Sequence, residues 1–141
     1  MDDLFAVLAG LYSPLQALLL LTAFYASHRL NRHSSGDVWW RLGLSLGMTY
    51  GLMLADNYYS WWPSLGLDYS THTALAFSLQ IALAQLYPRW RGLSWLAYGA
   101  YLWLMYHLAY HSLMDMLTSM LIVGLLLYLT VRCKTWLHLT K

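Results

Sequence analysis

Charged residues and cysteine are both scarce in this sequence. Lys, Arg, Asp and Glu make up 10% of its 141 residues, whereas a soluble domain carries about 25%; the low share argues against a soluble globular protein. A single cysteine, Cys133, excludes an intramolecular disulfide and argues against redox chemistry. Apolar residues are abundant instead: 60% of the chain is hydrophobic, with 8 Trp and 12 Tyr. This composition predicts an integral membrane protein.

Five apolar segments follow one another along the chain. They are residues 4–26, 38–55, 71–87, 92–106 and 113–131, and short polar loops separate them. The chain has no internal repeat, and its length suits one compact unit. The sequence therefore predicts an all-α fold: a single transmembrane helical bundle over residues 1–141, with five transmembrane helices.

The basic residues predict the orientation of these helices. Five helices place the two chain ends on opposite sides, and loops rich in Lys and Arg face the cytoplasm. With the N-terminus outside and the C-terminus cytoplasmic, all the basic residues lie inside: Arg29, Arg32, Arg41, Arg89, Arg91, Arg132, Lys134 and Lys141. The outer side receives most of the acidic residues: Asp2, Asp3, Asp56, Asp68 and Asp115. We therefore expect a protein of a bacterial inner membrane, with its polar site on the periplasmic or extracellular side.

Three glycines, Gly43, Gly47 and Gly51, recur at intervals of four residues in the second predicted helix. A face of this kind lets two helix backbones approach closely. It predicts a contact with another helix of the bundle or with a second copy of the protein. The other expected partner is a membrane lipid, and no nucleic-acid partner is expected.

A polar stretch, residues 106–115, lies between the last two apolar segments. His107, His111 and Asp115 are four residues apart in this stretch, a spacing that puts side chains on one face of a helix. Ionisable groups at the edge of a membrane helix are expensive and mark candidate functional sites. The alternative interpretation is structural, because Ser112 followed by Asp115 is also a capping box for the last helix.

A second polar group is predicted at the same membrane level. Asp68 and His72 flank the start of the third predicted helix, and Asp56 ends the second. Helix capping by Ser70, Thr71 and Asp68 explains the hydroxyl groups and one carboxylate but not the histidine. We expect six side chains to converge in one outward-facing pocket: Asp56, Asp68, His72, His107, His111 and Asp115.

These residues carry a resemblance to a known superfamily. The segment His111-Ser-Leu-Met-Asp115 resembles the H-x3-D motif that opens the last helix of type 2 phosphatidic acid phosphatases. Ser70-Thr-His72-Thr is similar to the P-S-G-H motif of that superfamily, and Asp68-Tyr resembles the related sphingomyelin synthases. The resemblance implies that His111 is the nucleophile, that Asp115 orients it, and that His72 is the general acid. It also implies a lipid phosphate or pyrophosphate substrate, hydrolysis or phosphotransfer, and no cofactor.

The sequence departs from that superfamily in its positive charges. No K-x6-R-P motif occurs near Asp56, Met105 stands where the superfamily has an arginine, and Thr71 replaces a glycine. Phosphoryl transfer depends on positive groups that neutralise the phosphate oxygens, and the predicted outer side has neither Lys nor Arg.

Two alternative interpretations follow from this departure. A divalent metal, such as zinc, would supply the missing charge, since His and Asp are ordinary zinc ligands; the candidate ligands are His72, His107, His111, Asp115, Asp68 and Asp56. Asp68, His72 and Phe77 together with Asp115 also resemble the small VanZ-like membrane proteins. That resemblance, or a non-catalytic helical bundle, would imply no enzyme activity.

Overall fold

The chain is all-helical, as predicted, over the residues that the computed structural model describes: the backbone of residues 2–29 and 36–139, and the side chains of residues 3–26 and 36–132. This part contains six α-helices and no strand: α1 (Asp2–Arg29), α2 (Gly36–Tyr59), α3 (Trp61–Ser64), α4 (Thr71–Leu86), α5 (Arg91–His107) and α6 (Leu113–Leu139). A 3-10 turn, Pro88–Trp90, joins α4 to α5. Five of these helices match the predicted segments, and α3 lies in the predicted loop between the second and third. The side chains of Arg29, Arg32, Lys134 and Lys141, used to predict the orientation, lie outside the described residues.

The five long helices alternate in direction. Phe5, near the start of α1, packs edge-on against His107 at the end of α5, with ring centroids 5.7 Å apart. Phe24, near the end of α1, packs against Trp39, near the start of α2, at 5.1 Å. The helix starts and ends therefore gather at two opposite ends of the bundle.

The two ends differ in charge among the described side chains. We call one the acidic end, because it holds Asp56, Asp68 and Asp115, and the other the basic end, because it holds Arg41, Arg89, Arg91 and Arg132. The acidic end is where α2 and α5 finish and where α4 and α6 begin. The polar groups singled out in the sequence thus belong to one end of the bundle.

Helix α4 is at the centre of the bundle. It packs against α1, α2, α5 and α6. Its Ala74, Ala76 and Ser78 are almost completely buried, and such small side chains allow neighbouring helices to approach closely. Close helix packing in this protein therefore relies on the small residues of α4.

The predicted glycine contact with another helix of the described bundle is wrong. A Cβ atom added at Gly43, Gly47 or Gly51 would meet no other atom within 4 Å. The buried face of α2 instead carries Ser45 and Thr49. Gly47 lies two residues from each, about 200° around the helix, and therefore faces away from α4. A second copy of the protein, the other predicted partner of this face, is left as a proposal.

Two helices are long and apolar enough to cross a membrane, by length and composition: Asp3–Ala26 in α1 and Leu113–Arg132 in α6. Helices α4 and α5 have 16 and 17 residues, which correspond to about 24–26 Å, somewhat shorter than a hydrocarbon core of about 30 Å. Length and composition therefore support two candidate membrane spans among the described residues.

A buried polar row crosses the middle of the bundle, and the sequence analysis did not anticipate it. Gln16 Nε2 of α1 donates hydrogen bonds to Tyr12 Oη and to Gln80 Oε1 of α4, both at 3.2 Å. Gln80 Nε2 donates to Ser94 Oγ of α5 at 2.8 Å. Because buried amides are costly without partners, this row fixes how α1, α4 and α5 are rotated against one another.

Candidate functional site

The two resemblance motifs meet at the acidic end, where α4 and α6 begin side by side. Ser70 caps α4, since its Oγ accepts a hydrogen bond from Thr73 N at 3.3 Å. The backbone nitrogen of Ser70 donates in turn to Ser119 Oγ of α6 at 2.9 Å. Ser70 and Ser119 are both fully buried. The hydrogen bond from the Ser70 backbone to the Ser119 side chain therefore holds the start of α4 against α6.

The carboxylate of Asp115 joins the two loops of the acidic end. Its Oδ1 accepts a hydrogen bond from the backbone nitrogen of Asp68 and its Oδ2 accepts one from that of Ser112, both at 2.8 Å. Ser112 Oγ accepts from Asp115 N at 3.2 Å, which completes the capping box expected from the sequence. A hydrogen bond to a charged group contributes about 1.5–3 kcal/mol. Asp115 is therefore a structural clamp as well as a candidate site residue.

The carboxylate that faces His111 belongs to Asp68. His111 Nδ1 lies 3.4 Å from Asp68 Oδ2, and the two side chains are 12% and 69% exposed. Among the described residues, Nδ1 is buried without a hydrogen bond, so the contact is close but not aligned. The resemblance assigned the orienting role to Asp115, yet both oxygens of Asp115 are engaged by backbone nitrogens. An imidazole with a carboxylate behind Nδ1 is an arrangement suited to a general base or a nucleophile at Nε2.

The other two histidines have different environments. His72 is exposed in the first turn of α4, and it makes no hydrogen bond to a residue that the structure describes. His107 stacks on Trp103 at 5.0 Å and contacts Phe5 edge-on. Its ring is thus part of an aromatic group formed by α1 and α5. Both histidines are exposed, and His107 in addition lies against the rings of Trp103 and Phe5.

The six candidate metal ligands do not form a metal centre. Within residues 3–26 and 36–132, no group of three or more His, Cys, Asp or Glu side chains is arranged to hold a metal ion. What the structure brings together is a pair, His111 and Asp68, with Asp115 attached to the backbone of Asp68.

Asp56 supports the opposite side of the same end. Its Oδ1 accepts a hydrogen bond from the backbone nitrogen of Trp62 at 2.8 Å, which ties α3 to the end of α2. Trp62 packs against Tyr69 with ring centroids 4.8 Å apart and donates from Nε1 to Thr118 Oγ1 at 3.0 Å. Asp56, Trp62, Tyr69 and Thr118 thus form a closed polar and aromatic layer between α2, α3 and α6.

Tyr69 is a neutral hydrogen-bond donor in this layer. Burial raises the pKa of its hydroxyl well above the ordinary value, and the nearby Asp56 carboxylate raises the pKa further. The hydroxyl donates to the carbonyl oxygen of Thr49 at 3.1 Å. The sequence analysis missed Trp62, Tyr69 and Ser119; the Asp68-Tyr dipeptide was the one feature that pointed to Tyr69.

Comparisons with known proteins leave the chain without an identified relative. No family model matches it, and neither a curated protein nor a solved structure is detectably similar to it. The functional argument therefore rests on the geometry of the acidic end.

Proposed function

We propose that the protein is a membrane-embedded enzyme whose acidic end faces outward, with five spans, an external N-terminus and a cytoplasmic C-terminus. Large apolar side chains cover the surfaces of α1 and α6, including Leu4 (60% exposed), Leu21 (64%) and Leu121 (69%). Contiguous apolar surface of this kind is rare on soluble monomers. The basic residues gathered at the other end support the cytoplasmic assignment of that end.

Single cysteines would test this orientation. In a Cys133→Ser background, Ser64→Cys at the acidic end and Trp90→Cys at the basic end should react with a membrane-impermeant thiol reagent from opposite sides of the membrane. Ser64→Cys should label in intact cells, and Trp90→Cys only after the membrane is opened. Labelling of both cysteines in intact cells would contradict the proposed orientation.

We propose further that the site hydrolyses a lipid phosphate or pyrophosphate, or transfers its phosphoryl group to another alcohol. The observation that carries the proposal is the pairing of His111 with the Asp68 carboxylate at the junction of α4 and α6. His111 Nε2 attacks phosphorus, and the P–O bond to the lipid breaks. His72 protonates the departing oxygen. Water, or an acceptor hydroxyl, then attacks the phosphorus and gives its proton to His72, and the P–N bond breaks to restore the free His111 imidazole.

The positive charge at this site comes from the helices in this proposal. Lys and Arg are absent from the described part of the acidic end, but both α4 and α6 begin there. The start of a helix carries roughly half a positive charge, which favours a bound phosphate. A site at the depth of lipid headgroups would meet a lipid phosphate directly.

Phosphate release from lipid phosphates and pyrophosphates by the purified protein in nanodiscs would test the chemistry. His111→Ala and His72→Ala should each lower the rate by about 100-fold or more, with the melting temperature preserved. His107→Ala should change the rate less than about twofold, and chelator should have no effect, because the nucleophile is an imidazole.

Other outcomes would overturn this mechanism in distinct ways. Loss of activity with chelator, recovery with zinc and a defect in His107→Ala would indicate the metal-dependent alternative. No phosphate release from any of these lipids would indicate that the acidic end is a structural cap, as in a non-catalytic bundle.

A further inference from the structure

We infer that Asp68 is the positioning residue for His111, and that the main role of Asp115 is to hold the backbone of the two loops. The inference rests on the proposed function, and it departs from the role that the H-x3-D resemblance gives to Asp115. It concerns which of two neighbouring carboxylates contacts the imidazole.

The backbone of Asp68 is fixed even though its carboxylate is exposed. Its own nitrogen donates to Asp115 Oδ1 at 2.8 Å, and the nitrogen of Ser70 donates to Ser119 Oγ at 2.9 Å. The chain on both sides of the Asp68 side chain is therefore attached to α6. This fixed backbone keeps the Asp68 side chain within reach of His111, where Oδ2 lies 3.4 Å from Nδ1.

The carboxylate that contacts the enclosed nitrogen of His111 is that of Asp68, while the charge of Asp115 also acts on His111 from farther away. Asp68 Oδ2 lies 3.4 Å from Nδ1, and Nδ1 has no hydrogen bond to any described residue. Contacts of this kind are often poorly aligned without substrate and tighten when substrate binds. A hydrogen bond from Nδ1–H to Asp68 would hold the tautomer whose Nε2 lone pair is free to attack phosphorus.

Asp115 is already bonded to the backbone of both loops. Both of its oxygens already accept backbone hydrogen bonds, from Asp68 and Ser112. Turning the carboxylate toward His111 would release the two loops that place His111 and Asp68 side by side. The two acids thus have different roles: Asp115 fixes the backbone, and Asp68 contacts the imidazole.

Kinetics of Asp68→Ala would test the positioning role. We expect kcat to fall by about 100-fold with KM within about twofold, because the tautomer and orientation of a nucleophile affect the chemical step. The melting temperature should not change, since the backbone nitrogen that Asp115 holds is still present. Asp68→Glu should recover part of kcat, and Asp37→Ala, an exposed acid at the other end of α2, should leave kcat unchanged. A normal kcat in Asp68→Ala would overturn the inference.

A second measurement needs no substrate. Nitrogen-15 NMR of histidine-labelled protein, with the His111 signals assigned by their loss in His111→Gln, reports which ring nitrogen carries the proton. We expect the Nδ1–H tautomer in the parent protein and a shift toward Nε2–H in Asp68→Ala. If the parent already has the Nε2–H tautomer, or if Asp68→Ala leaves the spectrum unchanged, Asp68 does not position the ring. The expected NMR change without phosphate release would support the pairing and overturn the proposed chemistry.

Discussion

The two ends of the bundle are built in different ways. At the acidic end, two buried carboxylates, Asp56 and Asp115, accept hydrogen bonds from the backbone of the loops. At the basic end, the turn from α4 to α5 is exposed, and it is held by backbone bonds such as Trp90 N to Tyr87 O at 3.0 Å. A buried carboxylate is costly unless backbone donors surround it. Among the described residues, buried carboxylates occur only at the acidic end, so this is the end whose loops have a fixed geometry.

Backbone strain is found at the same end. The two non-glycine residues with positive φ in the described chain are Ser60 and Ala109, each at 54°. Ser60 lies between α2 and α3, and Ala109 lies between α5 and α6. The left-handed conformation costs about 1–2 kcal/mol for such residues and persists where surrounding contacts determine it. Backbone hydrogen bonds supply such contacts: Ser60 N donates to Asp56 O at 2.7 Å, Ala109 N to Tyr106 O at 3.0 Å and Tyr110 N to Met105 O at 3.1 Å.

Among changes at the two ends, Asp115→Ala should have the largest effect on the free energy of unfolding. The change removes an acceptor for two backbone nitrogens, those of Asp68 and Ser112, and should lower the free energy of unfolding by about 3 kcal/mol. Denaturant titration in detergent micelles would measure it. Asp37→Ala is the matched control, since this acid is exposed in the first turn of α2 and should cost about 0.5 kcal/mol. Equal losses in the two variants would show that the Asp115 clamp does not stabilise the acidic end.

A smaller effect is expected at Asp56. Asp56→Ala removes the acceptor of the Trp62 backbone nitrogen and should cost about 1.5–2 kcal/mol. Asp56→Asn keeps an oxygen that accepts this bond, so its cost should be less than half as large. The same denaturant titration distinguishes them. If Asn and Ala destabilise equally, the negative charge matters and the hydrogen bond alone does not explain the role of Asp56.

The smallest effect is expected on the glycine face of α2, away from both ends. Gly47→Leu should change the free energy of unfolding by no more than about 1 kcal/mol, because the added side chain meets open space and Leu favours helix more than Gly does. The matched substitution Ala76→Leu, at a fully buried position of α4, should cost about 1–3 kcal/mol through overpacking.

Size-exclusion chromatography of the same Gly47→Leu variant would test whether a second copy of the protein packs on the glycine face. A smaller assembly with an unchanged fold would show that another protein chain covers this face. If Gly47→Leu unfolds, the conclusion that the glycine face of α2 is open would be wrong.

Sequence reasoning succeeded where the physics is local. The capping box of Ser112 and Asp115 depends on residues three apart, and the structure confirms it. The Ser70 cap of α4 is also local and was anticipated. The metal interpretation, by contrast, assumed that six side chains at the same depth would converge. Depth along a helix does not determine the direction in which a side chain points. His107 shares its level with His111 but turns toward Trp103.

The sequence by itself determined the five long helical segments, their order and the gathering of basic residues at one end and of most acidic residues at the other. These properties follow from composition, turn residues and chain direction, all of which are present in the linear sequence. The rotation of each helix about its axis was decided only by the tertiary structure. The rotation of α2 buries Ser45 and Thr49 and exposes Gly47. The Gln16–Gln80–Ser94 row helps to set the rotations of α1, α4 and α5. The choice of Asp68 as the neighbour of His111 arises in the same way, because it depends on where two loops distant in sequence meet.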